Sequence, residues 1–361
     1  MGYPAFFSII IPTYNRPQRL RYCLDALLEL DYPRDRFEII IVDDGSKTAL
    51  EPIVRPFCNV LQVNLLRQDN AGPASARNTG AQEAKGTFLA FTDDDCLPAA
   101  DWLTQLAAQL EANPRALVGG LPVNALPKNL YSTASQELID YLYQYYNLSP
   151  ERVKFFASNN IALPRDLFLA VGGFDKSFPK AAAEDREFCD RWQHLGYPMI
   201  YAPEVTVYHA HSLTLRSFCR QHFYYGRGAF HFHQVRARRQ AEPIRIEPLE
   251  FYKALLRYPL QKRSSQPAKR RSQPAYLVSA LFVLSQAATI AGFFWEKGVR
   301  WLMPLSRRLT NRLTNRGQVD PETTDASLNP GDQTNSLAAP EAPWAGQAAG
   351  RSATAGRSEG L

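Results

Sequence analysis

Three consecutive carboxylates, Asp93-Asp94-Asp95, follow the apolar run Thr87-Phe-Leu-Ala-Phe91. Charges packed that closely repel unless a cation neutralises them. Hard oxygen donors on a short loop suit Mg²⁺ or Mn²⁺, which complete their shells with water and substrate phosphate. A turn and a helix N-cap explain the same tripeptide, since Asp is at home in both. A second acidic pair, Asp43-Asp44, ends the run Phe37-Glu-Ile-Ile-Ile-Val42, where carboxylates can accept hydrogen bonds from a base or a ribose. Asn70-Ala-Gly-Pro-Ala-Ser-Ala-Arg-Asn78 opens a helix of small residues whose N–H groups and positive end favour a nucleotide's phosphates, with Arg77 to assist. Glu184-Asp185 opens another helix-like run that ends at His194-Leu-Gly196, and acids there also suit the helix dipole. In His209-Ala-His211, strand alternation points both imidazoles to one side.

These residues need a scaffold that gathers them. Phe7–Ile11, Phe37–Val42, Val60–Leu66 and Thr87–Phe91 are short apolar runs, the pattern of strands buried in a parallel sheet. Helix periodicity lies between them: Pro17–Leu30 with Leu20, Leu24, Leu27 and Leu28 on one face, Ala74–Lys85, and Asp101–Ala112 with Leu103, Leu106 and Leu110. Alternation of β and α predicts an α/β fold with right-handed crossovers and an open, twisted, mostly parallel sheet flanked by helices over residues 1–240. Ligands in such sheets sit beyond the carboxyl ends of the strands. That rule selects Thr13–Arg16, Asp43–Ser46, Asp69–Gly72 and Asp93–Asp95, two of which the acidic clusters already mark.

The 361 residues include 41 Lys and Arg, 35 Asp and Glu and 45% hydrophobic residues, enough to bury a core. The charge is unevenly placed: residues 1–250 are net −2, residues 251–316 carry 13 basic and 1 acidic residue, and residues 317–361 are net −4. A basic excess confined to one segment argues against a nucleic-acid partner, which a basic folded face would serve. Within residues 241–316, Ala275–Phe294 is 20 residues without a charge, about 30 Å as a helix and so as long as a bilayer core is thick. Basic residues on both sides, Lys269, Arg270 and Arg271 before it and Lys297 and Arg300 after it, give no orientation for a crossing. The segment therefore reads as a membrane-associated helix, peripheral, re-entrant or single-span, on an anionic membrane surface at its cytoplasmic face, with a buried core helix as the plainer reading. Residues 317–361 have the composition of a disordered tail. Cys23, Cys58, Cys96, Cys189 and Cys219 form no Cys-x-x-Cys pair and suit a reducing compartment, and no secretory leader is expected.

Taken in order and spacing, Phe7-Ser-Ile-Ile-Ile-Pro-Thr-Tyr-Asn15, Val42-Asp-Asp-Gly-Ser46, Asn70–Asn78, Asp93-Asp-Asp95 and Glu184-Asp185 resemble the nucleotide-sugar-dependent glycosyltransferases of family 2, over about residues 5–230. The resemblance implies a GT-A (Rossmann-like) fold, a Mg²⁺ or Mn²⁺ ion, and inverting transfer of a sugar from a nucleoside-diphosphate sugar donor. It puts Pro12, Thr13, Asn15, Asp44 and Arg77 in the nucleotide pocket, Asp93 on the ribose or the metal with Asp94 beside it in the donor site, and Asp95 as principal metal ligand. It makes Asp185 the base that takes the acceptor hydroxyl's proton, with Glu184 its hydrogen-bonding partner, and His209 a further metal ligand, His211 being the alternative. Arg220-Gln221 and Tyr225-Gly-Arg-Gly228 resemble the segment that closes over the diphosphate in related transferases. The Gln-x-x-Arg-Trp motif of processive synthases is absent, which favours single transfer. The basic, apolar segment points to a lipid-linked or cell-envelope glycan acceptor. The aromatic residues between Leu130 and Phe156 read equally as core and as a sugar- or lipid-facing surface. A sugar-phosphate nucleotidyltransferase is the rival enzyme, although no Gly-rich basic loop follows the first strand. A non-catalytic membrane-surface module is the rival without chemistry. A nicotinamide dehydrogenase fails for want of a Gly-x-Gly-x-x-Gly after any strand.

Overall fold

The computed structural model describes residues 5–147, 153–178, 182–241, 247–265 and 273–314. The chain divides into two units, residues 1–308 and 309–361, and the fold described is that of the first. Its strands are β1 (Phe7–Thr13), β2 (Phe37–Asp43), β3 (Val63–Arg67), β4 (Phe88–Phe91), β5 (Cys96–Pro98), β6 (Leu117–Asn124), β7 (Ile161–Pro164) and β8 (Met199–His209). Its helices are α1 (Pro17–Leu28), α2 (Glu51–Val54), α3 (Pro73–Glu83), α4 (Trp102–Ala112), α5 (Leu130–Tyr146), α6 (Arg165–Ala170), α7 (Glu184–His194), α8 (Leu215–Gln240), α9 (Leu249–Ser265) and α10 (Ala275–Thr314).

The strands form one sheet in the order β3-β2-β1-β4-β7-β6-β8-β5. β1 to β4 pair in parallel, β7 runs antiparallel to both β4 and β6, β8 is parallel to β6, and β5 is antiparallel to β8. All strands except β7 and β5 therefore point one way, the mostly parallel sheet that the βα alternation predicts. Side chains leave a strand on alternate faces, and the central strands feed two cores. Ile9, Ile11, Ile39 and Ile41 pack with Leu20, Leu24, Trp102 and Leu106 of α1 and α4. Ile10, Ile40 and Val42 pack with Ala76 and Ala81 of α3 and with Phe168, Phe188 and Trp192. Among the four parallel strands β1 to β4, β3 is the least buried, because it lies at the sheet edge: it starts at Val63, and Val60 is exposed.

A third apolar cluster joins α5, α8, α9 and α10 through Leu138, Tyr141, Phe218, Phe251, Leu255, Val278 and Phe282. The uncharged run from Ala275 is thus the first half of a longer helix with one face packed on protein. The tail from residue 317 and Lys269, Arg270 and Arg271 lie outside the described residues.

Two glycines set the tolerance of this packing. At Gly120, beside a bulge in β6, a Cβ would meet the Val205 carbonyl and the Asn160 side chain, whereas at Gly298 in α10 it would meet nothing within 4 Å. Gly120→Ala is expected to cost about 1–3 kcal/mol by overpacking, and Gly298→Ala to gain about 0.5–1 kcal/mol from helix propensity. Denaturant titration of the two variants checks both signs.

Candidate active site

The crossovers reverse between β1 and β4, which makes the carboxyl ends of these strands the switch point of the sheet, where a crevice must open. A cavity of about 1120 Å³ lies there, lined among others by Pro12, Thr13, Asp44, Arg77, Asp93, Asp94, Asp95, Glu184, Asp185 and His209. Asn15 is not part of that wall. Its backbone holds φ 55°, its N–H donates to Ser46 Oγ at 2.8 Å, and its Oδ1 accepts from the Lys47 N–H at 2.8 Å. It clasps the loop after β1 to the loop after β2.

One end of the cavity collects metal-ligand chemistry. β5 pairs with β8 so that Cys96 faces His209, and the Ala210 N–H donates to the Asp95 carbonyl at 2.7 Å. This register brings His209 Nε2 to 3.3 Å from Asp95 Oδ1 and His211 Nδ1 to 3.6 Å from Asp95 Oδ2. One donor atom from each of the three residues lies within 4.8 Å of the others. A carboxylate and two imidazoles on an open wall fit a divalent cation that takes its remaining ligands from water or phosphate. Both histidines belong to this group, so the choice between them falls away.

Arginines occupy the same edge. Arg19 reaches Asp95 Oδ2 at 2.7 Å, and Arg16 lies 3.1 Å from Asp94 Oδ1 and 3.4 Å from Asp95 Oδ2. Thr13 Oγ1 donates to Asp94 Oδ2 at 2.7 Å. Burial pushes the Asp94 carboxyl up to about 6, against the pull of Arg16. Burial acts on Asp95 in the same sense, yet hydrogen bonds from His209 and His211 hold its carboxyl well below the usual range.

Asp44 and Arg77 are committed within the protein. Asp44 Oδ1 accepts from Gln68 Nε2 at 2.7 Å and the Ala71 N–H at 2.9 Å, and Oδ2 accepts from the Gly72 N–H at 2.8 Å. The amides that lead into α3 are therefore taken by Asp44 rather than open to a phosphate. Arg77, 4% exposed, donates to Asp93 Oδ1 at 2.7 Å and to Glu184 Oε1 at 3.3 Å. It joins the acidic loop after β4 to the start of α7. At that helix start Ala183 holds φ 68°, so Glu184 and Asp185 open α7 against the cavity. Burial raises both carboxyls, Glu184 to about 7, with their mutual repulsion adding to the rise at Glu184 and Arg77 opposing it.

Other segments divide between wall and frame. Ser158 and Asn159 line the cavity, while Asn160 accepts from Trp102 Nε1 at 2.9 Å and donates to the Val205 carbonyl at 2.9 Å. Tyr146 and Phe155 reach the cavity, and Tyr141 and Tyr143 are buried packing residues. Tyr225-Gly-Arg-Gly228 lies inside α8 and is no loop: a Cβ at Gly226 would meet the Thr289 carbonyl of α10, and one at Gly228 the Ala182 carbonyl. Sequence reasoning missed Arg19 and gave Arg16 no role beyond its place in the segment after the first strand; Tyr146 was among the aromatic residues read equally as core and as an acceptor-facing surface. The helical spacing of Arg16 and Arg19 just after Thr13 was the available signal, but nothing separated them from the other basic residues.

Residues 8–172 match the family described as glycosyl transferase family 2. The chain is 28% identical over 207 residues to glycosyltransferase AglE of Haloferax volcanii, an alignment covering 56% of this chain and 66% of that protein. It is 29% identical over 233 residues to probable glycosyltransferase YdaM of Bacillus subtilis, covering 61% and 54%. These matches span between half and two thirds of the length of the curated relatives. Among solved structures, the mannosyltransferase PcManGT from Pyrobaculum calidifontis, in complex with GDP-Man and Mn²⁺, superposes with a TM-score of 0.57 at 20% identity, over 82% of this chain and 89% of that one. That likeness concerns the fold, and it agrees with a GT-A arrangement. With the acidic loops at the sheet's switch point and the family match over β1 to α6, the chain carries a family 2 glycosyltransferase domain over residues 8–172.

Proposed function

We propose that this glycosyltransferase moves a sugar from a nucleoside-diphosphate sugar to an acceptor hydroxyl with inversion, in a single displacement with Asp185 as the base. The observation that carries the reading is that one cavity is lined both by the Asp95, His209 and His211 group and by the Glu184-Asp185 pair, with Arg77 hydrogen-bonded to Asp93 on one side and Glu184 on the other. A divalent cation would be held by Asp95, His209 and His211, and two imidazoles in that set favour Mn²⁺ over Mg²⁺. Bound there, it would neutralise charge developing on the departing diphosphate.

The chain's own groups do the rest. Direct displacement needs a base on the face opposite the leaving group. Glu184, buried and hydrogen-bonded to Arg77, holds the end of α7 in place, while Asp185 accepts the hydroxyl's proton. Arg16 and Arg19 supply positive charge at the donor end, and Thr13 and Pro12 form the floor of the nucleotide pocket. The acceptor is a lipid-linked or cell-envelope glycan met at the cytoplasmic face of the membrane, a reading supported by the basic segment and by α10.

Asp95→Asn is expected to weaken Mn²⁺-dependent binding of nucleoside diphosphates by about tenfold or more, and calorimetry with and without Mn²⁺ measures it; equal affinity would remove Asp95 from the ligand set. Asp185→Asn should lower kcat by about 10² or more with donor affinity nearly unchanged, as read by steady-state kinetics and donor titration. The raised carboxyls also fix a pH dependence. A base is lost as pH falls through its folded-state pKa, so burial of Asp185 is expected to place the acidic limb of kcat/KM above that of a solvated aspartate. A limb near 4 in the wild type would contradict the assignment.

A further inference from the structure

We propose that an apolar arm of the cavity holds the hydrocarbon chain of a lipid acceptor, delivered from an anionic bilayer on which α10 lies flat. This rests on the glycosyltransferase reading above and specifies how its acceptor arrives. The cavity has two characters. Its wall on the side of α5, α9 and α10 includes Leu142 of α5, Phe251 and Leu255 of α9, and Ile290, Phe293 and Phe294 of α10, with Gln286 and Thr289 of α10 among them. Its volume, about 1120 Å³, exceeds the roughly 300–1,000 Å³ of pockets for one drug-sized ligand, which leaves room for a second molecule beside the donor.

The arm ends on a surface built for lipid. Tyr276, Val283, Ile290, Phe294 and Trp301 are between 57% and 71% exposed. Residues four or seven apart return to nearly the same side of a helix, so these five form one stripe along α10. Ile290 and Phe294 belong both to the stripe and to the cavity wall, so the outer apolar face and the arm meet at these two side chains. Contiguous exposed apolar surface of this kind marks an interaction site.

The opposite face of α10 decides its orientation. Val278 and Phe282 are buried in the cluster shared with α5, α8 and α9. Glu296 receives hydrogen bonds from Arg227 of α8 at 2.8 Å and from Arg300 at 2.9 Å. At Gly226 and Gly292 the backbones of α8 and α10 approach so closely that a Cβ would strike the partner helix's carbonyl. A helix crossing a bilayer would surrender these contacts; a helix lying in the interface keeps them and buries only the stripe. The 13 basic residues against 1 acidic in residues 251–316 match an anionic leaflet, and Trp301 is the residue type that settles at the lipid–water boundary.

The wall is continuous from the arm to the base. Arg186, next to Asp185, stands over the Tyr146 ring at 5.6 Å, and the Tyr146 ring lies 6.4 Å from that of Phe251, with Glu247 accepting from Tyr146 at 2.6 Å. A long acyl or prenyl chain in the arm would carry a polar head, with its acceptor hydroxyl, along Tyr146 toward Asp185.

Two measurements on the full chain test this. In flotation with vesicles, the protein should bind equal mixtures of phosphatidylglycerol and phosphatidylcholine and leave phosphatidylcholine alone largely unbound. Val283→Asp with Trp301→Asp should lower that binding by about tenfold or more while Mn²⁺-dependent nucleotide binding stays unchanged. In the second measurement, a dodecyl alcohol with a mid-chain diazirine is photolysed with the protein. Label should appear on Leu142, Leu255 and Phe293, and Leu142→Trp or Ile290→Trp, each filling the arm, should remove most of it while vesicle binding persists. Label confined to the outer stripe, undiminished label in both filled variants, equal binding to neutral vesicles, or a stable dimer that hides the stripe would overturn the proposal. Failure of the glycosyltransferase reading would look different: the arm would label as expected, but no nucleotide-sugar would be consumed.

Discussion

A buried arginine holds the two halves of the cavity together. Arg77, on α3, is shut away from solvent and spans from Asp93, at the end of β4, to Glu184, at the start of α7. An arginine cation in such a place survives only if carboxylates surround it, and removing one partner of a buried pair costs about 3–5 kcal/mol because the other charge is left uncompensated. The position of α7, and so of Asp185, is thereby tied to the loop that carries Asp95. Asn78, on the same helix, strengthens the tie: its Nδ2 donates to the Phe174 carbonyl at 2.8 Å and its Oδ1 accepts from the Phe174 N–H at 2.8 Å. The glycines before Phe174, Gly172 and Gly173 at φ 86° and 65°, give the turn the left-handed backbone this pairing needs. The small side chains of α3, with Ala76 and Ala81 fully buried, let the helix sit close enough to the sheet for Arg77 and Asn78 to reach.

The parallel half of the fold was legible from local pattern. β1, β2 and β4 are largely apolar runs buried on both faces, and the ends of β2 and β4 carry acids that have no reason to lie in a core. The switch-point rule then located the cavity without knowledge of any contact. Asp44 and Arg77 fared differently. Their residue types suit a nucleotide, but the groups they bind, the amides of Ala71 and Gly72 in one case and two carboxylates in the other, come from segments whose approach no periodicity reveals. The alternation of His209 and His211 was visible in sequence. Their meeting with Asp95 depends on the antiparallel pairing of β5, a strand of three residues, too short to announce itself beside the loop it follows. Asn15 shows the converse: its motif was plain, but a positive φ turned its side chain to the neighbouring loop.

The helical layer is a working part of the site. α8 is wedged between two close approaches, with Gly226 against Thr289 of α10 and Gly228 against Ala182, just before the residues that open α7. Neither contact has room for a methyl group, so packing of this density passes a displacement on rather than absorbing it. Ala183, between Ala182 and the Glu184-Asp185 pair, holds a left-handed backbone that costs a non-glycine residue about 1–2 kcal/mol and needs support from its surroundings. That support includes α8, and α8 is in turn fixed by α10 through Arg227 and Glu296. Where α10 rests therefore bears on where the base stands, and a surface that fixes α10 acts on the geometry of the reaction as well as on the place where it occurs.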